Sequence, residues 1–440
     1  MGVAEREAAS AGRPLTEVRA RAPAAERPIA LPGTAVLARL PAPATRLPSL
    51  PWGRVFWILA GLLLFTRAVA LAGTAASAGS VREAVQSWGG TWDAGWYGSI
   101  VEFGYGHSPP GIYATGFYPG WPLLGGLPYQ VASLAGRLTG HQLVAPHDLS
   151  TVSLVLMANA CLVVAVWALW HLYEPLLGRG ATLGGIALVL AAPGGFWLSA
   201  GYSESSFIAA SALAFLCAHR RRWLLAGLAV GAAALIRPYG VALFLPLAIL
   251  WLRGDRRVTP ALVAGVALGL VGGGLYPIYT LLAYGNPLLY LEVHRNPAAF
   301  GSTTQATDPL STMRIQWRRV WQGLRLLGAP AGAAPGGAAA QGSALIVIAA
   351  GVLQAGVGAV VSVVLVPAAH LLWAALMLVI PLTSSAEHAS LARFALAAFP
   401  AYFALARLLH RWPAVLGVTV GVSCMAMAVL AYGFARFLVG

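Results

Sequence analysis

The sequence predicts an all-α polytopic membrane protein, and three observations carry that prediction. The chain has 440 residues, of which 58% are hydrophobic and only 10% charged, where soluble domains hold roughly 25% charged residues. Apolar runs near the ~20 residues that one bilayer crossing needs recur along most of its length. All 28 basic residues are arginine, and many stand in short clusters between those runs, as a positive-inside topology requires. The net charge of +14 therefore reads as membrane topology, and no nucleic-acid partner is expected. Cys161, Cys217 and Cys424 lie inside apolar stretches with no paired or metal-like spacing, so they read as small apolar side chains.

Residues 1–52 carry seven Arg and eight Pro in Ala-rich sequence without apolar periodicity, so they cannot bury a core and are expected to form a disordered cytoplasmic tail. No apolar run follows the first charges early enough for a secretory signal. Residues 53–437 form the membrane domain. Val55 to Ala72 is the first span, and the Arg-rich tail holds its start in the cytoplasm. Residues 77–148 are then a large first extracytoplasmic loop. Within it Phe117 to Leu138 is apolar but broken by Pro119, Pro122 and Pro128, which predicts a re-entrant or surface-lying helix. Leu149 to Leu172 runs inward, Leu183 to Leu198 outward, and Ser205 to Ala218 returns, so that Arg220, Arg221 and Arg222 lie inside.

Trp223 to Leu250 lies between two Arg clusters, and a single crossing would leave one of them on the wrong side. Two short helices turning at Ile236-Arg237-Pro238 satisfy both clusters, with Pro opening the second helix. Val258 to Tyr284 leads into a second large outer loop, residues 285–342. Ser343 to Val366, Pro367 to Leu382, Leu391 to Leu408 and Pro413 to Phe437 complete about eleven transmembrane or partly spanning helices.

The chain has only 14 acidic residues, and on this topology those beyond the tail collect on the outer face, apart from Glu174 and Asp255. No Asp-x-Asp pair offers ligands for a metal-held pyrophosphate, so a nucleotide-sugar enzyme is not expected and no metal is. The densest polar site is Trp88 to Tyr97, where Asp93 stands among Trp88, Trp92, Trp96 and Tyr97. Such a carboxylate suits a general base, with aromatic faces that pack on sugar C–H surfaces; the plainer reading is an interfacial aromatic belt. Glu204 opens a helix, where an acid complements the macrodipole. Arg237 and Arg393 fall near outer span ends, where an arginine either pairs a lipid phosphate or snorkels. Arg295, Arg314, Arg318, Arg319 and Arg325 make the second outer loop basic, which suits an anionic substrate or headgroup, or an amphipathic helix over Met313 to Leu327.

Trp92-Asp93-Ala94-Gly95-Trp96-Tyr97, Phe117-Tyr118-Pro119-Gly120-Trp121-Pro122, Tyr202-Ser203-Glu204-Ser205, Arg237-Pro238-Tyr239-Gly240 and Ser390-Leu391-Ala392-Arg393-Phe394 occur in this order. On these motifs the chain resembles the PIG-V-type mannosyltransferases of the GT-C superfamily, over roughly residues 55–437. The family usually shows Phe-Phe-Pro and Tyr-Thr-Glu at the second and third motifs. The resemblance implies a GT-C-like fold and inverting, metal-independent transfer of a mannosyl or other hexosyl residue. The donor would be a polyprenyl-phosphate sugar, the acceptor a lipid or glycan on the extracytoplasmic face of a multi-pass cell-membrane protein. It implies Asp93 as catalytic base, Trp92, Trp96, Tyr97, Tyr118, Tyr202, Glu204 and Arg237 against the substrate, and Arg393 near the carrier phosphate, with no cofactor beyond that co-substrate. The rival expectation is a flippase for a lipid-linked saccharide, for which charges deep in the spans would speak; Arg67 is the one such charge in a strong span.

Overall fold

The computed structural model describes residues 52–140, 145–254, 256–300, 338–384 and 391–435, together with single helical residues between 311 and 325. The tail read over 1–52 lies outside the described residues except for Trp52. The described residues are helical, with no strand among them. They run as α1 (Trp52–Ala78), α2 (Val81–Gly90), α3 (Asp93–Phe103), a 3-10 turn (Gly111–Gly116), α4 (Gly120–Gly125), α5 (Leu127–Thr139), α6 (Pro146–Leu177) and α7 (Arg179–Ala191). After a second 3-10 turn (Pro193–Leu198) come α8 (Glu204–His219), α9 (Trp223–Ile236), a third 3-10 turn (Pro238–Leu243), α10 (Phe244–Arg253), α11 (Pro260–Tyr284) and α12 (Leu289–Arg295). The chain closes with α13 (Ala338–Leu365), α14 (Ala368–Ser384), a short helix and 3-10 turn (Leu391–Ala398), α15 (Phe399–Leu409) and α16 (Pro413–Ala435).

Six helical runs are long and apolar enough to cross a bilayer: α1, α6, α11, α13, Ala392–Leu409 and α16. This is a multi-pass helical membrane protein. Five further apolar helices have 10–17 residues, and they occur where the sequence breaks its own runs. α7 stops where Pro193 holds Ala192 in extended backbone (φ −50°, ψ 148°), and α9 stops at Arg237 before Pro238, as the paired-helix reading of 223–250 expects.

The packing explains why short helices suffice. α8 is buried on nearly every side, and a helix that is apolar all round belongs in a core. It is ringed by α6, α9 and α10, with α15 and α16 closing on α7. α1 instead carries exposed Phe56, Trp57, Leu64 and Phe65, as a lipid-facing span does. α9 and α11 touch backbone to backbone at Gly227 and Gly265, where an added Cβ would meet the opposing carbonyl oxygen at 1.9 Å; small residues are what permit such an approach.

Arg67 has a structural partner set. Its guanidinium donates to the carbonyl oxygens of Leu190 and Gly195, each at 2.6 Å, and so satisfies the acceptors freed where α7 breaks.

The two ends of the bundle differ. At one end Tyr173 Oη and His219 Nε2 stand 2.8 and 2.9 Å from the ring nitrogens of His370, and Arg220–Arg222 follow directly. At the other end lie α2 to α5, the start of α8 and the turn at Arg237. Residues 117–138 form the short helices α4 and α5 at that second end. Leu127, Val131, Leu134 and Leu138 are exposed along α5. In the second loop Arg314, Trp317, Arg318, Trp321 and Arg325 are helical and exposed; Arg319, Asp308 and Glu387 lie outside the described residues.

Candidate active site

Asp93 is the first residue of α3. Trp92 before it has φ 52° and ψ −129°, a backbone region that side chains other than glycine rarely occupy. Hydrogen bonds fix the frame around it. Trp88 Nε1 donates to Thr74 Oγ1 at 2.8 Å, Gly201 N–H donates to the Trp88 carbonyl at 2.9 Å, and Trp121 Nε1 donates to the Gly201 carbonyl at 2.9 Å. The linker that precedes Glu204 is thereby tied to both α2 and α4. Gly120 lies so close to the end of α9 that a Cβ would stand 2.5 Å from the Leu235 carbonyl carbon.

This frame brings four charged side chains into one chain of contacts. Arg393 Nη1 stands 2.6 Å from Asp93 Oδ2 and its Nε 3.1 Å from Glu204 Oε1. Arg237 Nη2 hydrogen-bonds the same Glu204 oxygen, while its Nε donates to Ser203 Oγ at 2.8 Å and its Nη1 to Tyr239 Oη at 2.6 Å. Glu204, Arg237 and Arg393 are buried, whereas the Asp93 side chain is 31% exposed. Buried charges persist when paired, and here each guanidinium has a carboxylate. The Arg393 contacts are ion pairs by distance, but among the described residues Nε and Nη1 make no hydrogen bond of good direction and Glu204 Oε2 has no hydrogen-bond partner. Both arginines rest on aromatic faces: Arg393 over Tyr202 at 5.1 Å and Phe394 at 4.8 Å, Arg237 over Phe207 at 5.7 Å.

A cavity of about 480 Å³ opens in front of this chain. Of the residues singled out in the sequence, Asp93, Tyr97, Tyr118, Arg237 and Arg393 line it. Glu204 and Tyr202 do not; they lie behind the arginines, Glu204 because it opens the buried α8. Trp96 backs the wall by stacking on Phe117 at 6.0 Å, and Trp92 is 45% exposed and off the lining. Arg237 and Arg393 are bound inward, so the snorkelling reading fails for both.

The cavity also has walls that the motifs did not announce: Tyr290 and His294 from α12, and Ile380 and Pro381 from α14. The His294 Nδ1 stands 2.8 Å from the Tyr290 carbonyl, which only accepts, so Nδ1 carries the proton. The i, i+4 spacing of Tyr290 and His294 was the available signal. Burial above all, with the nearby Asp93 charge, holds the Tyr97 hydroxyl above its ordinary range, and burial with Tyr290 beside it does the same for Tyr118. Both phenols therefore stay neutral and can donate a hydrogen bond.

Among the described residues no group of three or more His, Cys, Asp or Glu side chains could hold a metal ion. Compared with protein-family models and with curated proteins, the chain matches none.

Proposed function

We infer that the protein is an inverting glycosyltransferase that moves a mannosyl or other hexosyl residue from a polyprenyl-phosphate donor to a lipid or glycan acceptor, with Asp93 as general base. The observation that carries this reading is the Asp93–Arg393–Glu204–Arg237 chain along a cavity walled by aromatic side chains. An acceptor hydroxyl must lose its proton as it attacks the anomeric carbon, and a partly open carboxylate can take it. The leaving group is a phosphate monoester, whose developing charge the two guanidiniums can stabilise. Arg393 pairs with Asp93 at the cavity wall; a donor phosphate competes for that guanidinium and frees the carboxylate to act as base. Tyr97, Tyr118, Phe117 and Tyr290 offer faces and hydroxyls to the sugars.

The reading extends to the membership proposed from the five motifs, a PIG-V-type enzyme of the GT-C superfamily. It also extends to a topology in which the five shorter apolar helices span with the six long ones. The N-terminus is then cytoplasmic and the cavity extracytoplasmic in a cell membrane. A lipid-linked donor accounts for a site at the bundle's end.

The test is transfer of radiolabelled mannose from synthetic polyprenyl-phosphate mannose by membranes containing the wild-type chain or Asp93→Asn. Label in a lipid or glycan with wild type alone supports the assignment. Normal turnover by a properly inserted Asp93→Asn protein would sink Asp93 as base.

A further inference from the structure

We propose that the end of the bundle opposite Asp93 binds an anionic glycerophospholipid, its acyl chain in the groove between α9, α10 and α11 and its phosphate on the arginines at the mouth. The groove has a volume of about 540 Å³, within the range of small-molecule sites. Every residue that lines it is apolar, among them Trp223, Phe244, Trp251 and Val258, with Gly227 and Gly265 in its floor.

The groove follows from the packing. The glycine contact draws α11 onto α9, whereas α10 leans on α14, and a cleft remains between α10 and α11. Phe244 fills it toward the Asp93 end, where its ring would meet a Cβ on Gly269 at 2.6 Å. The open end is framed by Trp223 and Trp251. α9 has 14 residues, about 20 Å of helix at ~1.5 Å per residue, so this mouth is far from the catalytic cavity.

The mouth is strongly basic. Arg222 precedes Trp223 directly, Arg253 follows Trp251 by two residues, and Arg257 precedes Val258, with Arg220, Arg221 and Arg256 in the same turns. Trp251 Nε1 donates to the Arg257 carbonyl at 3.1 Å, which ties the connecting turn to the groove's rim. Against these six arginines the same stretches of sequence set one acid, Asp255, and Glu174 is paired with Arg179 at 3.3 Å. Topology alone accounts for arginines at this end, but it does not account for a dry groove that opens between them. A single-chain-sized apolar slot beneath a cluster of guanidiniums matches a phosphate-headed lipid of net negative charge, and a zwitterionic lipid leaves the cluster's charge uncompensated.

The test is native mass spectrometry of the full-length, delipidated protein titrated with phosphatidylglycerol, phosphatidylcholine or polyprenyl phosphate. Phosphatidylglycerol is expected to bind more tightly than phosphatidylcholine. Combined Arg222→Gln, Arg253→Gln and Arg257→Gln should weaken it by about tenfold or more and leave phosphatidylcholine unchanged. Ala248→Phe, which fills the groove and keeps every arginine, should weaken it as well. Equal affinity for the two phospholipids, variants that weaken polyprenyl phosphate in place of phosphatidylglycerol, or full binding by Ala248→Phe would each overturn the proposal. A melting curve of each variant separates lost binding from lost fold.

Discussion

Arg393 Nη1 stands 2.6 Å from Asp93 Oδ2, so the cavity wall holds the proposed base against the residue proposed to bind phosphate. Arg393→Lys keeps a cation but loses the planar fork that binds phosphate at two points. Its donor KM should rise about tenfold or more, the scale of one charge-assisted contact, with a smaller change in kcat. Asp93→Asn should divide the effects the other way, with kcat down by about 10²–10⁴ and donor binding kept. Steady-state kinetics on both variants checks the split, and a kcat loss confined to Arg393→Lys would reverse the roles.

Glu204 lies between two buried guanidiniums. Glu204→Gln removes the charge both of them face, and breaking a buried pair in this way costs about 3–5 kcal/mol. The variant should melt well below wild type in detergent, while Glu174→Gln, at the more exposed pair with Arg179, should melt within about 0.5 kcal/mol of it.

Arg67→Met should destabilise the protein without changing donor KM, because the guanidinium serves the carbonyls of Leu190 and Gly195. Each buried acceptor left bare costs about 1–3 kcal/mol. A large KM change at unchanged melting temperature would move Arg67 into the substrate path.

Gly120→Ala forces a Cβ to within 2.5 Å of the Leu235 carbonyl carbon, whereas a Cβ at Gly61 meets nothing within 4 Å. Gly120→Ala should therefore shift the Tyr118 wall and lower both stability and transfer. Gly61→Ala is expected to be neutral or slightly stabilising, since alanine is the better helix former by about 1 kcal/mol. Parallel melts and transfer assays compare the two.

Reporter fusions at residues 90 and 221 should give opposite-side signals, since α2 lies at the Asp93 end of the bundle and the Arg220–Arg222 turn at the other. Same-side signals would contradict the alternation of the helices.

Much of this architecture was legible because bilayer burial and arginine distribution are local in sequence. The pairing of α9 and α10 around Arg237-Pro238 followed from two Arg clusters and one proline, and the shortness of α4 and α5 from prolines at 119, 122 and 128. The five motifs likewise led to Asp93, Glu204, Arg237 and Arg393. What they did not yield was the order of contact. Glu204 was expected on the substrate and stands behind the arginines; Trp92 and Tyr202 were expected on the cavity wall and are not there. Tyr290, His294 and Pro381 form that wall with no motif around them.

The sequence by itself therefore determined the class of fold and which polar groups are too costly to lie in lipid without a role, because both depend on free energies summed over neighbouring residues, whereas helix ends such as that of α7, expected at Leu198 and found at Ala191, did not follow from it. Only the tertiary structure decided which carboxylate pairs with which guanidinium. An ion pair between residues as distant as Asp93 and Arg393 depends on how α3, α8 and the Leu391–Ala398 segment are held together, and that is set by glycine contacts and indole hydrogen bonds far along the chain.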